Sequence, residues 1–243
     1  MLIISSSAKT LDLKTPAPKG QEPPFLKEAN EVQAFLASMD VQAYSRTLGV
    51  SEKIAILNVE RMQTWDSAEA RPALFMYKGD VYRQLNPEEY SPEQLDYAKS
   101  VFAMSGLYGA VGGMDKIKPY RLEMKAELKG YGHMNDYWRP LVTSYFNELI
   151  EKEAHEFLLN LASKEYAKAV DRKELKVPVI DVEFKEEREG KLKTIGLMAK
   201  RARGMMIDYC IKKQIQDPNE LRHFNQAGYE FLGEEKGTLT FVR

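Results

Sequence analysis

Lysines and carboxylates follow two apolar runs of the sequence, in positions where they could do covalent or acid–base chemistry. Lys9 comes shortly after the run Leu2–Ile4, and Lys78 and Asp80 follow the run Ala73–Tyr77. A lysine amine can attack an electrophilic carbon once its proton is removed, and a nearby carboxylate can carry that proton. The candidate catalytic residues are Lys9, Lys78, Asp80 and Glu123. The same side chains would also suit a simple anion-binding site.

Glu123 belongs to a stretch, residues 105–125, that combines four glycines with several charged residues. The glycine turn after the apolar run Val101–Met104 indicates a close approach of the backbone to another group. Arg121 and Glu123 then alternate with apolar residues, so in an extended segment both charges project to one side. That side is either a surface salt bridge or part of a functional site.

Four apolar runs predict buried strands, and each run ends in small or polar residues. The predicted strands are Leu2–Ile4, Ala73–Tyr77, Val101–Met104 and Phe157–Ser163. Helical segments separate them, which favours a parallel or mixed sheet with its ligand site at the carboxyl ends of the strands. We therefore predict an α/β fold (mixed α+β) with a central mixed sheet surrounded by helices. No linker or repeat divides residues 1–243, so one domain is expected.

Residues 40–65 predict two helices joined by a tight turn. Asp40 can cap the first helix, Gly49 can end it in the left-handed conformation, and Ser51 can cap the second. The turn is similar to the hairpin of helix-hairpin-helix modules, in which backbone N–H groups face a DNA phosphate. The predicted phosphate-binding positions are Gly49, Val50, Ser51 and Lys53. The charge of Glu52 opposes this role, and an ordinary capped turn between core helices has the same pattern.

The last third of the chain predicts two strand pairs around a basic helix. Segments 177–184 and 191–197 alternate in polarity and form a predicted hairpin, and segments 228–232 and 238–242 form another. Between them, residues 199–214 have the spacing of an amphipathic helix. Lys200 and Arg203 share one face of this helix. That face either contacts phosphate or is simply solvated.

Composition places this chain among ordinary globular proteins. Its 35 basic and 36 acidic residues leave a net charge of −1, so a nucleic-acid surface requires segregation of charge. One cysteine, Cys210, excludes an internal disulfide, and three histidines offer little for a metal site, so we expect no metal and no cofactor. With no basic leader and no apolar span of roughly 20 residues, we expect a cytoplasmic monomer without a membrane partner.

Taken together, these pieces make the sequence resemble the YaaA family of bacterial peroxide-stress proteins over nearly its whole length. The motifs that carry the resemblance are Ser6–Asp12, Lys78–Tyr82, Ser105–Gly109, Pro119–Met124, Asn160–Ser163 with Glu165 and Tyr166, Ala199–Gly204, and Phe224 with Gly228–Phe231. Ser7 departs from the proline that is usual in the first motif. The resemblance implies a single mixed α/β domain of the unusual "cantaloupe" type, with a positively charged cleft and a helix-hairpin-helix.

The same resemblance implies DNA binding in oxidative-stress defence and repair, and a link to free intracellular iron for which the sequence offers no evident site. The implied partner is duplex, bubble or branched DNA, bound largely without sequence preference. The implied DNA-binding residues are Lys9, Thr10, Lys78, Arg121, Lys200 and Arg203, together with the hairpin 49–53. Tyr82, Tyr108, Tyr120 and Tyr166 could stack on unpaired bases, or they are core tyrosines.

Two other functions fit the same residues. The protein could be an enzyme that acts on a nucleobase, a nucleotide or an abasic site with a cleft lysine and a carboxylate. It could also bind a small anion without contacting DNA.

Overall fold

The strand Leu2–Ser6 lies in the middle of the central sheet, with partners on both sides. This computed structural model describes residues 1–243. Leu2 and Ile4 pack into one hydrophobic core and Ile3 packs into another, as the alternation of side chains along a strand requires. An apolar residue at every position therefore places this strand where both faces of the sheet are covered.

The sheet is mixed, as predicted. The twelve strands are β1 (Leu2–Ser6), β2 (Arg71–Pro72), β3 (Val101–Ser105), β4 (Gly109–Gly112), β5 (Lys116–Ile117), β6 (Glu127–Leu128), β7 (Gly132–His133), β8 (Leu158–Asn160), β9 (Val179–Arg188), β10 (Lys191–Lys193), β11 (Glu230–Glu235) and β12 (Thr238–Val242). The central sheet has the order β11-β12-β9-β8-β1-β3-β4, and β10 pairs with β9. Five consecutive strands of this order run parallel to one another: β12, β9, β8, β1 and β3. Three strands pair in antiparallel fashion: β4 with β3, β10 with β9, and β11 with β12.

Helices cover both faces of this sheet. The α-helices are α1 (Leu26–Ala37), α2 (Val41–Leu48), α3 (Glu52–Gln63), α4 (Ala73–Met76), α5 (Pro92–Tyr97), α6 (Met134–Glu153), α7 (Lys164–Ala167) and α8 (Gly196–Lys213). Short 3-10 turns occupy Trp65–Ser67, Tyr82–Gln84, Pro87–Glu89, Ala98–Ser100, Pro218–His223 and Gln226–Gly228. Helices α1, α2, α3 and α6 pack on one face, and α8 is the main helix on the other. The protein is therefore a mixed α/β single domain. No helix combines the length and the apolar character that a membrane span requires.

The prediction of a strand at Ala73–Tyr77 is wrong. Residues 73–76 form the single helical turn α4, directly after Pro72. The turn is buried all round: Ala73 and Met76 belong to one core, whereas Leu74 and Phe75 belong to the other. A short run that is apolar on every side has no periodicity, so its sequence cannot distinguish a strand from a buried helical turn.

The predicted hairpin after residue 177 is confirmed, but its bounds differ. Strand β9 continues to Arg188, and the two-residue turn is Glu189 and Gly190, both with positive φ. The second strand is shorter than predicted, because α8 begins at Gly196. The closing strand pair, β11 and β12, is present, and β12 joins the central sheet next to β9.

Asp115 is a buried carboxylate outside the proposed functional regions, and it forms no ion pair. Its Oδ2 accepts a hydrogen bond from Gly112 N at 2.7 Å, and its Oδ1 accepts one from Gln21 Nε2 at 2.8 Å. Burial raises the pKa of Asp115 to about 6, although these two hydrogen bonds act in the opposite direction. The folded protein therefore holds this proton more tightly than the unfolded chain does.

We expect the contribution of Asp115 to stability to fall as the pH rises from about 4 to about 6. In that range the unfolded chain has released the proton and the folded protein retains it. The free energy of unfolding therefore falls by up to about 1.4 kcal/mol per pH unit. Urea denaturation of the wild type and of Asp115→Asn at several pH values from about 4 to about 7.5 gives the difference in their free energies of unfolding as a function of pH. A difference between the two proteins that does not change with pH would contradict the assignment.

Candidate functional site

A cleft of about 520 Å³ opens at the carboxyl ends of β1 and β8. Three further segments close it: the loop after Lys78, the end of the 120–125 segment, and one face of α8. The side chains and backbone that line it belong to Ser6, Ser7, Ala8, Lys9, Thr10, Gly79, Asp80, Val81, Tyr82, Glu123, Lys125, Leu161, Ser163, Glu165, Tyr166, Lys200 and Arg203. The predicted position of a ligand site at the strand ends therefore coincides with a cavity.

The floor of this cleft is held by hydrogen bonds between the strand ends. Ser163 N donates to Ser6 Oγ at 3.0 Å, which joins the segment after β8 to the end of β1. Tyr82 OH donates to Ser6 O at 3.2 Å. Burial raises the pKa of Tyr82 well above its usual range, so this phenol stays neutral. The end of β1 is thereby fixed between two neighbouring segments, and Lys9 follows shortly after it.

Helix α8 approaches the loop after Lys78 closely because residue 204 is glycine. A Cβ atom at Gly204 would lie 2.0 Å from Val81 O, well inside van der Waals contact. Lys200 lies one helical turn before Gly204, and Arg203 directly precedes Gly204. The missing side chain therefore lets α8 bring two basic residues to the wall of the cleft.

Arg121 and Glu123 project to the same side, as the alternation predicts. Arg121 Nη2 lies 2.9 Å from Glu123 Oε1, and Lys9 Nζ lies 2.8 Å from the same oxygen. Burial alone would raise the pKa of Glu123, but the hydrogen bonds from Lys9 and Arg121 lower it. Tyr44 OH donates to Arg121 O at 2.7 Å and holds this segment against α2. The pairing was left open by the sequence, and it neutralises part of the positive charge of Lys9 and Arg121.

Four charged side chains of the cleft form no ion pair: Asp80, Glu165, Lys200 and Arg203. Two of these side chains also have a buried polar atom without a hydrogen-bond partner: Arg203 Nε and Glu165 Oε1. Burial lowers the pKa of the Arg203 guanidinium, although the negative charge of Glu183 acts in the opposite direction. Folded proteins pair nearly all of their buried polar atoms, so unpaired ones in a cleft favour a ligand-binding role.

A second cavity of about 640 Å³ adjoins the cleft, and Arg203 lines both. We call it the basic groove. It is lined by six basic residues, Arg139, Lys164, Lys168, Arg172, Lys173 and Arg203, and by three acidic ones, Asp171, Asp181 and Glu183. Arg172 is paired with Asp181 at 2.6 Å, whereas the three lysines form no ion pair. The groove thus has an excess of positive charge that the whole chain lacks.

Most of the predicted cleft residues do come together. Eight of them line the cleft: Lys9, Thr10, Asp80, Tyr82, Glu123, Tyr166, Lys200 and Arg203. Lys78 instead lines a neighbouring cavity, where its Nζ pairs with Asp12 Oδ2 at 2.5 Å. That contact lowers the pKa of Asp12. Lys78 is therefore wrongly placed in the cleft by the sequence prediction, although Tyr82 borders both cavities.

Tyr108 and Tyr120 are core tyrosines, the alternative that the sequence left open, so the predicted contact of Tyr108 with DNA is wrong. Tyr108 is 1% exposed, and its hydroxyl accepts a hydrogen bond from Lys118 N at 3.0 Å. Tyr120 is 4% exposed, with its hydroxyl 2.7 Å from Tyr77 OH. Both rings pack against other aromatic rings inside the protein, so neither can stack on a ligand base.

The predicted pair of helices at 40–65 is present as α2 and α3, joined at Gly49 with φ +60°. The N–H groups of Gly49 and Val50 both donate to Ser45 O, so these two cannot contact a phosphate as predicted. Ser51 and Lys53 remain exposed at the first turn of α3, where backbone N–H groups lack intrahelical acceptors. No residue of this turn lines the cleft.

Sequence reasoning assigned no role to Lys125 or to the groove lysines, and none to Glu165 beyond its place in a family motif. Glu165 lies just after the polar end of β8, and that position was a usable signal. Its lack of a partner depends on side chains from distant segments, so the sequence could not show it.

The fold and the cleft define a mixed α/β protein with a polar site at its strand ends. Residues 1–235 match the family described as "Peroxide stress protein YaaA", and the chain belongs to that family. It is 39% identical over 248 residues to the UPF0246 protein of Rickettsia bellii strain OSU 85-389, covering all of both chains. The UPF0246 protein of Aliivibrio fischeri is 38% identical over 251 residues, which cover all of this chain and 97% of that one. The resemblance noted in the sequence is thus confirmed.

Proposed function

We propose that this peroxide-stress protein binds DNA as a monomer, mainly through the sugar–phosphate backbone. The observation that carries the proposal is the position of Arg203, which is unpaired and lines both the cleft and the basic groove. An unpaired guanidinium shared by the cleft and the basic groove suits a chain of phosphates that passes from one to the other. Sequence-independent binding follows from contacts of this type.

The positive charge available to DNA differs from the sequence prediction. Lys9 and Arg121 share the carboxylate of Glu123, and Lys78 is paired with Asp12. These three cations therefore contribute less to phosphate binding than the unpaired ones do. We assign the main contacts to Lys200, Arg203 and the groove lysines Lys164, Lys168 and Lys173.

The volume of the cleft favours unpaired DNA inside it. At about 520 Å³ it is in the range of a small-molecule site and does not admit a duplex. Tyr82 lines it and offers aromatic surface to a base, whereas Tyr166 also borders it but is only 7% exposed. We therefore propose that bubbles, bulges or branched structures bind more tightly than intact duplex. The exposed first turn of α3, at Ser51 and Lys53, would contact a phosphate of the flanking duplex.

Substitution of Lys200 or Arg203 by alanine is expected to weaken DNA binding by about 10-fold each, because each removes a charge-assisted phosphate contact. The slope of log affinity against log salt should fall by about 1 for each phosphate contact that a substitution removes. Fluorescence anisotropy with a bubble oligonucleotide between about 50 and 200 mM salt measures both quantities.

Lys191→Ala and Lys193→Ala are the matched controls, because both lysines lie on the exposed strand β10, away from the cleft and the groove. Circular dichroism checks that each variant is folded. Wild-type affinity in Lys200→Ala, which alters an exposed side chain, or an affinity that does not depend on salt, would refute the proposal.

A second candidate function is an enzyme acting on a nucleobase, a nucleotide or an abasic site. It is favoured by the presence of Lys9 and three carboxylates, Asp80, Glu123 and Glu165, in one cleft. The ion pair between Lys9 and Glu123 opposes it, since a nucleophilic amine needs a free lone pair. Borohydride trapping on abasic DNA separates the two functions: an adduct that Lys9→Ala abolishes indicates catalysis, and no adduct indicates binding alone.

A further inference from the structure

Glu165 and Arg203 carry opposite charges into the same cleft, yet they do not pair with each other. Both line the cavity, and the buried atoms Glu165 Oε1 and Arg203 Nε each lack a hydrogen-bond partner. Lys200 also lines the cavity without an ion pair. The cleft therefore holds an unpaired carboxylate and two unpaired cations that lie more than 4.0 Å from it. A ligand that satisfies both must present an anion at one end and N–H donors at the other.

Chemical complementarity narrows the group that suits the carboxylate. An ionised carboxylate only accepts hydrogen bonds, and its two oxygens favour two parallel N–H donors. Among the four DNA bases only guanine offers two adjacent donors, N1–H and N2–H, on its Watson–Crick edge. Adenine and cytosine place a ring nitrogen acceptor beside their amino group, and thymine places a carbonyl on either side of N3–H. Each of these would hold an acceptor against Glu165.

Size and the remaining lining fit a single nucleotide. The cavity of about 520 Å³ suits one base with its sugar and phosphate. The half-buried Tyr82 lines the same space, and aromatic rings commonly support a base that has left the helix. Lys200 and Arg203 supply the positive charge that its phosphate requires.

We propose that the cleft receives one extrahelical guanine-type nucleotide, with its Watson–Crick edge on Glu165 and its phosphate on Arg203 and Lys200. This inference rests on the proposed DNA binding and adds the identity of the base. Oxidation of guanine at C8 leaves N1–H and N2–H in place, so 8-oxoguanine belongs to the same ligand class.

The test uses duplexes with one bulged nucleotide, which is guanine, 8-oxoguanine, hypoxanthine, adenine, cytosine or thymine. The wild type is expected to bind the guanine and 8-oxoguanine bulges about 10- to 100-fold more tightly than the adenine bulge, the range for a hydrogen bond to a charged group. Hypoxanthine, which keeps N1–H and lacks the 2-amino group, should lie between them.

Glu165→Gln is the discriminating variant, because it keeps the size of the side chain and turns one acceptor into a donor. It should bind all six bulges with the low affinity of the adenine bulge. Glu189→Gln, at the exposed turn between β9 and β10, is the matched control and should keep the wild-type preference. Because the wild type and Glu165→Gln are tested on the same six duplexes, differences in how easily each bulged base leaves the helix cancel in the ratio of their affinities.

Three results separate the two proposals. A guanine preference that Glu165→Gln abolishes supports the base-binding role of Glu165. Equal affinity for all bulges, or a guanine preference that survives in Glu165→Gln, overturns it and leaves DNA binding intact. If the wild type binds none of the oligonucleotides at low salt, the proposed function fails and this inference fails with it.

Discussion

Gly204→Ala is expected to lower the free energy of unfolding by about 3 kcal/mol. The new Cβ atom would lie 2.0 Å from Val81 O, and it would also approach Gln84 Cγ at 2.9 Å. The first of these atoms is backbone and cannot rotate away, so either α8 or the loop that carries Val81 has to move. Urea denaturation followed by circular dichroism measures the decrease.

Gly196→Ala provides the control, since Gly196 is the first residue of the same helix and has nothing within 4 Å of its missing side chain. This change should stay within about 0.5 kcal/mol of the wild type. Because Arg203 directly precedes Gly204, a folded Gly204→Ala protein should also bind DNA more weakly. Equal stability of Gly204→Ala and the wild type would mean that α8 does not pack as closely as described.

Cys210 is expected to react with a thiol reagent at least about 1000-fold more slowly in the native protein than in denaturant, given the stability typical of folded domains. The residue is 0% exposed, and burial raises the pKa of its thiol, so the reactive thiolate is suppressed. Reaction then requires unfolding, and a stability of roughly 5 kcal/mol or more gives a protection of that size. Absorbance with Ellman's reagent, with and without guanidinium chloride, measures the two rates.

An exposed cysteine is the control for this experiment. In a Cys210→Ala background, Ser38→Cys puts a thiol at a helix end and should react at nearly the rate of the unfolded chain. Rapid stoichiometric labelling of native wild type would show that Cys210 is accessible. If the protection is found, the folded chain has no thiol that peroxide can oxidise directly, which excludes a cysteine sensor of peroxide in the native protein.

The sequence predicted those elements whose signals are local. Helices α2 and α3 begin directly after the predicted capping positions Asp40 and Ser51, and Gly49 ends α2 in the left-handed conformation. Asp40 caps α2 by accepting a hydrogen bond from Ala43 N, whereas the Ser51 side chain makes no such bond. A local signal of the same kind is present at the start of α5, where Ser91 and Gln94 form a capping box. These signals involve residues a few positions apart, so one sequence is enough to identify them.

The elements that failed depend on contacts between distant segments. Nothing local distinguishes the buried turn α4 from a strand, since its burial comes from two separate cores. Tyr108 follows a glycine turn in a pattern that also suits an exposed ring, and only its contacts with Trp65 and Tyr120 place it inside. Burial of a single aromatic residue is therefore a tertiary property.

The candidate site shows the same division. The position of the cleft followed from strand polarity, and Lys9, Asp80 and Arg203 do meet there. The distribution of charge in the cleft could not be predicted, because it depends on contacts between remote segments. Lys9 is paired with Glu123, whereas Arg203 has no partner. The fold therefore determines which cations are unpaired. For this reason the proposed phosphate contacts differ from those predicted from the sequence.

The central place of β1 has a consequence for how the chain is made. The ribosome produces this strand well before either of its partners, which pair with it from Val101 and Leu158 onward. Until both have been synthesised, its apolar residues have no sheet to join, and parallel pairing over such separations is slow. The nascent chain must therefore stay unaggregated through most of its translation, which predicts dependence on chaperones during synthesis rather than stepwise folding of successive segments.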